Sequence, residues 1–254
     1  MPESIDTILD ELDQVLAESR RRRSRLGYFA ALYRDVTARV KAAIEAGDFE
    51  DNARMERLDV QFARRYLDAL DARGTEAGPP RAWARTFEAA ERWRPLILQH
   101  LLLGMNAHIN LDLGIAAIEV ADADALPDLK ADFNRINQIL GSMIEAVQTR
   151  LTAVSPWIGV LDQLGGHADE AISNFALVHA RRDAWAFAQT LAPLSQDDRA
   201  SAIAAKDRET ADRTDPILQP GGQWALPALL WIRVWETKAI PTVLSYLSRT
   251  SPAV

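Results

Sequence analysis

The chain has 254 residues, of which 48% are hydrophobic and 26% charged, a composition typical of a globular protein with a sizeable core. Its formal net charge of -7 argues against nucleic acid as a partner, because phosphate binding requires a net basic surface. The absence of cysteine excludes thiol catalysis, disulfide bonds and cysteine-ligated zinc.

The N-terminal sequence MPESIDTILDELDQ is acidic and amphipathic. It lacks the basic region and the short apolar core of a signal peptide, so we expect a cytoplasmic location. The basic run that follows, Arg20–Arg25, is interpreted as a solvated helix end or junction, with contact to an anionic partner as the alternative.

Apolar residues recur at three- and four-residue spacing along nearly the whole chain, which is the pattern of amphipathic helices. No run of alternating β-branched residues indicates a strand. Clusters of glycine and proline separate the periodic segments. The pattern therefore predicts helices over 4–22, 26–46, 51–72, 82–93, 95–119, 128–153, 168–193, 197–211 and 225–248.

These segments predict an all-α fold, a single domain over residues 1–254 in which about eight to nine helices form a bundle around a buried central helix. Residues 1–25 are expected within this bundle or as a peripheral N-terminal helix. Pro95 is placed in the first turn of the central helix, where its missing N–H costs little. Pro227 and Pro241 are expected to start, kink or divide the last apolar segment.

The stretch His100–Val120 is long enough to cross a membrane. Its ionisable and amide side chains would be costly in lipid, so it predicts a core helix and no membrane span. His100, His108 and Asp112 lie in one slowly drifting stripe at four-residue steps, with Gly104 between the two histidines and Glu119 at its end. Asn106 and Asn110 form a second polar stripe on nearly the opposite side.

Axial spacing selects one pair from the first stripe. Residues four apart are about 6 Å apart along a helix axis, which suits two ligands of one ion, whereas His100 and His108 are about 12 Å apart. His108 and Asp112 are therefore the predicted metal-binding pair, in an H-x-x-x-D arrangement. His100 is then a general base, a residue that contacts the metal ligands without binding the metal, or a separate structural histidine.

Other helices place ionisable residues on apolar faces. Asp59 lies inside the apolar arc that contains Tyr66, and His179 and Asp183 form a second H-x-x-x-D within the arc of the 168–193 helix. Arg233 and Glu236 share one side of the very apolar last segment. A buried charge persists only where it is paired, hydrogen-bonded or bound to a metal, so these groups must satisfy one another or a bound species.

Three interpretations of these residues stay open. The first is a buried polar network that fixes helix register without catalysis. The second is a carboxylate and histidine metal centre built from facing helices. The third is a metal-free acid–base pocket with a His–Asp dyad. The sequence contains no G-x-G-x-x-G, P-loop, H-E-x-x-H or G-x-S-x-G motif, which argues against nucleotide-dependent chemistry, zincin proteolysis and an α/β-hydrolase.

The order of the segments YFAALYRDVTARV, MERLDVQFARRYLDAL, PPRAWARTF and HLLLGMNAHINLDL resembles an uncharacterised bacterial family of helical proteins, catalogued as a domain of unknown function. The block GMNAHINxDL is its hallmark, and the likeness spans roughly residues 26–248. The resemblance implies a soluble, all-helical, single-domain protein and adds weight to Asn106, His108, Asn110 and Asp112. It implies no reaction.

A more remote likeness is confined to the central helix. Helical zinc-dependent phospholipases C and related single-strand nucleases also carry H-x-x-x-D on a buried helix, where both residues bind zinc, and His108 and Asp112 match those two positions. Those enzymes use a cluster of three metal ions held by many histidines, whereas this chain has 4 histidines in all. One or two divalent ions (Zn, Fe or Mn) are therefore the most that the resemblance implies here.

The function predicted on these grounds is a metal-dependent enzyme that acts on a small, partly apolar molecule. The expected metal ligands are His108, Asp112, Asp59, His179 and Asp183. The expected catalytic groups are His100, Glu119 and Arg233, and the expected ligand-binding groups are Asn106, Asn110, Tyr66 and Glu236. The alternative is a non-catalytic helical protein that binds a small molecule over a buried polar network, and a homodimer is considered in either case.

Overall fold

The computed structural model describes residues 3–156, 177–220 and 226–248, and these residues form helices and connecting turns without any strand. The predicted all-α class is confirmed. The first four helices are α1 (Ile5–Arg22), α2 (Gly27–Glu45), α3 (Asn52–Asp71) and α4 (Arg81–Glu91). The later helices are α7 (Lys130–Val154), α8 (Leu177–Leu191), α9 (Gln196–Asp212), α10 (Thr214–Leu218), α11 (Leu226–Trp235) and α12 (Ile240–Leu247).

The central helix runs without a break from Ile97 to Val120. It consists of α5 (Ile97–Ala107), a π-helical turn (His108–Asp112) and α6 (Leu113–Val120). Helices α2, α3, α4, α8 and α9 pack around it. By length and composition it could cross a membrane, but 83% of its most apolar window is buried inside the molecule. The structure therefore places it as the core helix that its pattern predicted.

Of the two helix starts predicted from proline positions, the structure has one as predicted and one differently. The central helix begins at Ile97, after Leu96 as N-cap, so the prediction that Pro95 occupies its first turn is wrong. Gln99 instead accepts a hydrogen bond from the Leu96 N–H at 2.9 Å and closes the helix start. The predicted 225–248 segment is divided into α11 and α12, and Pro241 lies in the first turn of α12.

The basic run ends the first helix. Arg20, Arg21 and Arg22 form the last turn of α1, where cations stabilise the helix dipole, and Arg23 is the C-cap with φ 53°. Arg21 and Arg22 both pair with Glu18 on the surface. These contacts agree with the helix-end interpretation of Arg20–Arg25.

Two glycines let neighbouring elements approach the central helix. A Cβ at Gly104 would lie 2.4 Å from the Phe29 ring, so this glycine accommodates an aromatic side chain of α2. A Cβ at Gly114 would lie 2.7 Å from the carbonyl oxygen of Ala184, so α6 and α8 meet backbone to backbone. The core around the candidate site is thus close-packed on these two sides.

Candidate functional site

The π-helical turn carries the two residues that the sequence selected. The Leu113 N–H donates to the carbonyl of His108, five residues back, and all five residues of the turn are buried. Such single π turns inside α-helices occur frequently at functional sites, because they shift side chains out of the α-helical register. Here the turn lies at the middle of the most buried helix in the described part of the chain.

Asp112 is the centre of a buried hydrogen-bond network. Its Oδ2 lies 3.3 Å from His108 Nδ1 and accepts a 2.8 Å hydrogen bond from Trp83 Nε1. Its Oδ1 lies 3.4 Å from Arg65 Nε, and Arg65 also donates to Glu119 at 3.1 Å. The charge of the Asp112 carboxylate is therefore neutralised by Arg65, and its Oδ2 is directed at the Nδ1 side of the His108 ring.

His108 is a neutral imidazole inside an aromatic cage. Its ring stacks on Phe62 at a centroid distance of 3.5 Å and meets Tyr33 edge-on at 4.4 Å. Burial lowers the pKa of His108 by more than the hydrogen bond to Asp112 raises it. Because the Asp112 carboxylate accepts from Nδ1, the proton of the neutral ring belongs on Nδ1. Nε2 then carries the lone pair, and no described residue forms a hydrogen bond with it.

A cavity of about 600 Å³ lies beside the central helix and contacts this histidine. Its walls are mostly apolar side chains of α2, α3, α5 and α7, with the beginning of α8 at one side. The polar or charged residues among its lining are Tyr33, Asp59, His108, Asn137, Gln148, Thr152 and Arg181. A volume of this size is within the usual range of small-molecule sites.

Asp59 and Tyr33 also line this cavity with a buried polar atom that has no hydrogen-bond partner among the described residues. Asp59 is 8% exposed, and its Oδ2 is the atom left without a partner in the described part of the chain. Burial, with a smaller contribution from the Glu56 charge, raises the pKa of Asp59 to about 7. The prediction that Asp59 lies inside an apolar arc agrees with this placement, and the cavity brings Asp59 and His108 into one site.

The structure places His100 in a different environment. Its ring is buried against Tyr28 at a centroid distance of 5.7 Å, and it does not line the cavity. Burial and the charges of Arg25 and Arg233 lower the pKa of His100 to about 3, so the ring is neutral. Glu236 accepts from the Ile97 N–H at 3.1 Å and from Ser155 at 2.7 Å.

Arg233 completes this second network by donating to Glu236 at 3.3 Å. The Glu236 carboxylate therefore satisfies a backbone N–H at the start of the central helix and neutralises a buried arginine. Arg233, Glu236 and His100 lie together at the N-terminal end of that helix, away from His108. The contacts of Arg233 and Glu236 are those of the buried polar network that was the first interpretation, whereas His100 Nε2 has no hydrogen-bond partner among the described residues.

The asparagine stripe and Tyr66 also lie outside the cavity lining. Asn106 donates to the Thr210 carbonyl at 2.9 Å, and Asn110 donates to Asn106 at 3.0 Å, so both face α9. The Tyr66 ring packs 4.9 Å from the Trp83 ring, between α3 and α4. These three residues join helices to the central helix, and the structure does not bring them to the pocket.

His179, Asp183 and Glu119 are exposed. The prediction that His179 and Asp183 face the core is wrong. The buried face of α8 consists of Ala180, Arg181, Ala184, Trp185, Ala188 and Leu191. Small alanines face the core because Gly114 brings α6 into backbone contact with Ala184. Part of the arc used in the sequence prediction, residues 168–176, lies outside the described residues.

Three site residues were not identified from the sequence: Arg65, Trp83 and Arg181. Arg65 neutralises Asp112, Trp83 donates to it, and Arg181 lines the cavity. The signal for Arg181 was its spacing from Ala184 and Ala188, which places it on the face rich in small residues. For Arg65 and Trp83 the signal exists only in three dimensions, since their partner lies on another helix.

Metal coordination depends on how many donor side chains converge. Among the residues that the structure describes, no group of three His, Asp or Glu side chains is placed to hold one ion. His108 and Asp112 direct their nearest atoms at each other, so Asp112 orients the histidine instead of standing beside it as a second donor. Three cavity-lining side chains have a buried polar atom without a hydrogen-bond partner among the described residues: His108 at Nε2, Asp59 at Oδ2 and Tyr33 at its hydroxyl.

Comparison with known proteins shows which family the chain belongs to. The model of a family of unknown function, DUF5995, matches residues 5–220. The chain belongs to this family. The match includes the GMNAHINLDL block and with it the π-helical turn, and it confirms the resemblance noted from the sequence. No curated protein and no solved structure matches the chain.

Proposed function

We propose that the protein binds a largely apolar small molecule in the cavity beside the central helix and holds a polar group of that molecule at His108 and Asp59. The observation that carries the proposal is that both side chains line one apolar cavity and each has a buried polar atom that no other described residue satisfies. A buried unsatisfied donor or acceptor costs about 1–3 kcal/mol, so a ligand that supplies the missing partner is favoured.

The protonation states select the polar group. His108 Nε2 is an acceptor because the ring is neutral and its proton faces Asp112. Asp59 is partly protonated near neutral pH, with a pKa of about 7, and its acid form can donate. An alcohol hydroxyl that donates to the imidazole and accepts from the carboxyl group fits this pair. The apolar remainder of the cavity wall favours a hydrocarbon body on that alcohol.

The test uses the neutral dye Nile red and 1-dodecanol as probes. The wild-type protein should bind Nile red with increased fluorescence, and 1-dodecanol should displace it. His108→Phe removes the acceptor while keeping an aromatic ring, and it should weaken dodecanol binding about tenfold. His179→Phe, at an exposed position of α8, should leave both affinities unchanged. Failure of the wild-type protein to bind either probe would overturn the proposal.

A metal-dependent enzyme is the second candidate, and one observation favours it. Metal-binding histidines usually donate their other ring N–H to a carboxylate, as His108 does to Asp112, and the free Nε2 shares its cavity with the Asp59 carboxyl group. On this hypothesis His108 and Asp59 would hold one divalent ion of Zn, Fe or Mn. An ion held there would polarise a bound substrate or water, and Asp112 would orient the histidine.

Elemental analysis of the purified protein before and after dialysis against a chelator tests this second candidate. It predicts one equivalent of metal that His108→Ala loses and His179→Ala retains. A sub-stoichiometric metal content in folded wild-type protein would contradict the metal-dependent enzyme. The proposed binding function does not depend on that result.

A further inference from the structure

Arg181 is a buried cation in the wall of the same cavity. It lies on α8, is 5% exposed and lines the cavity together with Asn137. Its Nε donates to Asn137 Oδ1 at 2.8 Å, and its Nη2 donates to the carbonyl of Phe133 at 2.6 Å. Its guanidinium lies 4.3 Å from the centre of the Phe133 ring. All of these partners are electrically neutral.

Other buried arginines of the described residues have acidic partners. Arg150 is 8% exposed and donates to Asp35 at 2.9 Å, and Arg233 is 7% exposed and pairs with Glu236 at 3.3 Å. No carboxylate of the described residues forms an ion pair with Arg181. A buried charge without a counter-ion is costly, and burial accordingly lowers the pKa of Arg181 to about 9. The guanidinium nevertheless remains charged at neutral pH.

A second cation lies near Arg181. The Lys130 ammonium is 4.3 Å from the Trp185 ring centre and 5.8 Å from the Phe133 ring centre, so both cations contact Phe133. The charge of Arg181 contributes to lowering the pKa of Lys130, after burial. Two cations therefore lie around Phe133, and one of them, Arg181, lines the cavity, in a chain whose formal net charge is -7.

We propose that the natural ligand is an apolar carboxylic acid, whose carboxylate pairs with Arg181 and whose hydrocarbon part fills the cavity. This inference rests on the proposed binding function and names its ligand class. The guanidinium has five N–H donors, of which Asn137 and Phe133 use two, and a carboxylate matches the fork that remains. A singly charged carboxylate suits one arginine in an apolar wall better than a phosphate dianion, which would lose more hydration.

The ligand then has two contacts of different kinds. Arg181 supplies the charge-assisted contact and decides that the head group is an anion. His108 and Asp59 supply neutral hydrogen bonds to a further polar group, for which a hydroxyl on the hydrocarbon part fits. The charge-assisted contact should dominate selectivity among molecules of equal chain length, because bonds of this type are roughly twice as strong as neutral ones.

A matched series of probes with the same chain separates the two proposals. Dodecanoate, 1-dodecanol and dodecylamine are titrated at pH 8 against the protein with Nile red bound, below their aggregation concentrations. Dodecanoate should bind at least about tenfold more tightly than dodecanol, and dodecylamine should bind most weakly. Arg181→Gln should weaken dodecanoate by about tenfold or more and leave dodecanol within about twofold. Arg182→Gln, at the exposed neighbouring position, is the control and should behave as wild type.

The outcomes are distinguishable. If Nile red and dodecanol bind but dodecanoate has no advantage, the ligand class is wrong and the binding function stands. If none of the probes binds, the proposed function itself fails. If Arg181→Gln does not fold, the wild-type ratio of dodecanoate to dodecanol still decides. Arg181→Lys, which keeps the charge without the planar fork, then gives an intermediate ratio if the inference is correct.

Discussion

Asp112 holds His108 in one orientation, with its Oδ2 3.3 Å from the imidazole Nδ1 and 2.8 Å from Trp83 Nε1. The two residues belong to one π-helical turn, so the central helix itself fixes their spacing. Asp112 therefore has two roles: it joins α3 and α4 to the central helix through Arg65 and Trp83, and it holds the His108 ring with Nδ1 towards itself, which leaves Nε2 as the other ring nitrogen without a partner among the described residues.

Replacing Asp112 tests the first of these roles. Asp112→Asn removes the charge that neutralises Arg65 and presents an amide N–H where donors already point. The free energy of unfolding should fall by about 2–4 kcal/mol, measured by urea denaturation at pH 7. Asp124→Asn, at an exposed position between α6 and α7, should change it by less than about 0.5 kcal/mol. Equal stability of the two variants would contradict the central place of Asp112 in the network.

Replacement of glycine by alanine should have opposite effects on stability at Gly104 and at Gly141. A Cβ at Gly104 meets the Phe29 ring at 2.4 Å, whereas a Cβ at Gly141 meets nothing within 4 Å. Gly104→Ala should lower the free energy of unfolding by about 1–3 kcal/mol through overpacking. Gly141→Ala, inside α7, should raise it by about 0.5–1 kcal/mol through helix propensity. Thermal unfolding of both variants checks the prediction, and a stabilised Gly104→Ala would show that Phe29 moves aside freely.

Asp59 gives the protein a predictable dependence of stability on pH. In the unfolded chain it ionises near pH 3.9, as usual for Asp, whereas its pKa in the folded protein is about 7. Between these values the folded state keeps a proton that the unfolded state has lost. Its contribution to the free energy of unfolding therefore falls as the pH rises from about 4 to 7 and stays low above that window.

Asp59→Asn should remove this contribution. The variant should match wild type near pH 4 and exceed its free energy of unfolding at pH 8 by on the order of 3–4 kcal/mol, measured by urea denaturation across the range. Asp124→Asn should keep the wild-type slope. A wild-type slope in the Asp59→Asn protein would mean that Asp59 ionises normally in the folded state.

Glu236 stabilises the start of the central helix and the charge of Arg233. Glu236→Gln should lower the free energy of unfolding by about 3–5 kcal/mol, because it leaves a buried arginine without a counter-ion. Glu88→Gln breaks an exposed pair with Arg92, 3.9 Å long, and should cost less than about 1 kcal/mol. Binding of Nile red by folded Glu236→Gln should be unchanged, since Glu236 lies outside the cavity lining. A lost dye signal at full helicity would place Glu236 in the ligand site.

Most helix boundaries follow from the sequence because helix periodicity and the Gly and Pro breaks act over short distances along the chain. The prediction of 51–72 matches Asn52–Asp71, and that of 26–46 matches Gly27–Glu45. The π-helical turn was not predicted, since residues His108–Asp112 have an ordinary helical pattern. The prediction for Pro95 was wrong because the hydrogen bond between the Leu96 N–H and Gln99 makes Leu96 the N-cap of the central helix.

By itself the sequence determined the helical class, the buried central helix and the His108–Asp112 pair, because each depends on residue spacing within one helix. Only the tertiary structure decided what each polar residue faces. It turned His179 and Asp183 to the surface and buried His100 against Tyr28, outside the cavity lining. It also placed Arg181 in the cavity wall without an acidic partner among the described residues. Rotation of one helix against another is set by close contacts such as Gly114 with Ala184, and no periodicity within a single helix encodes it.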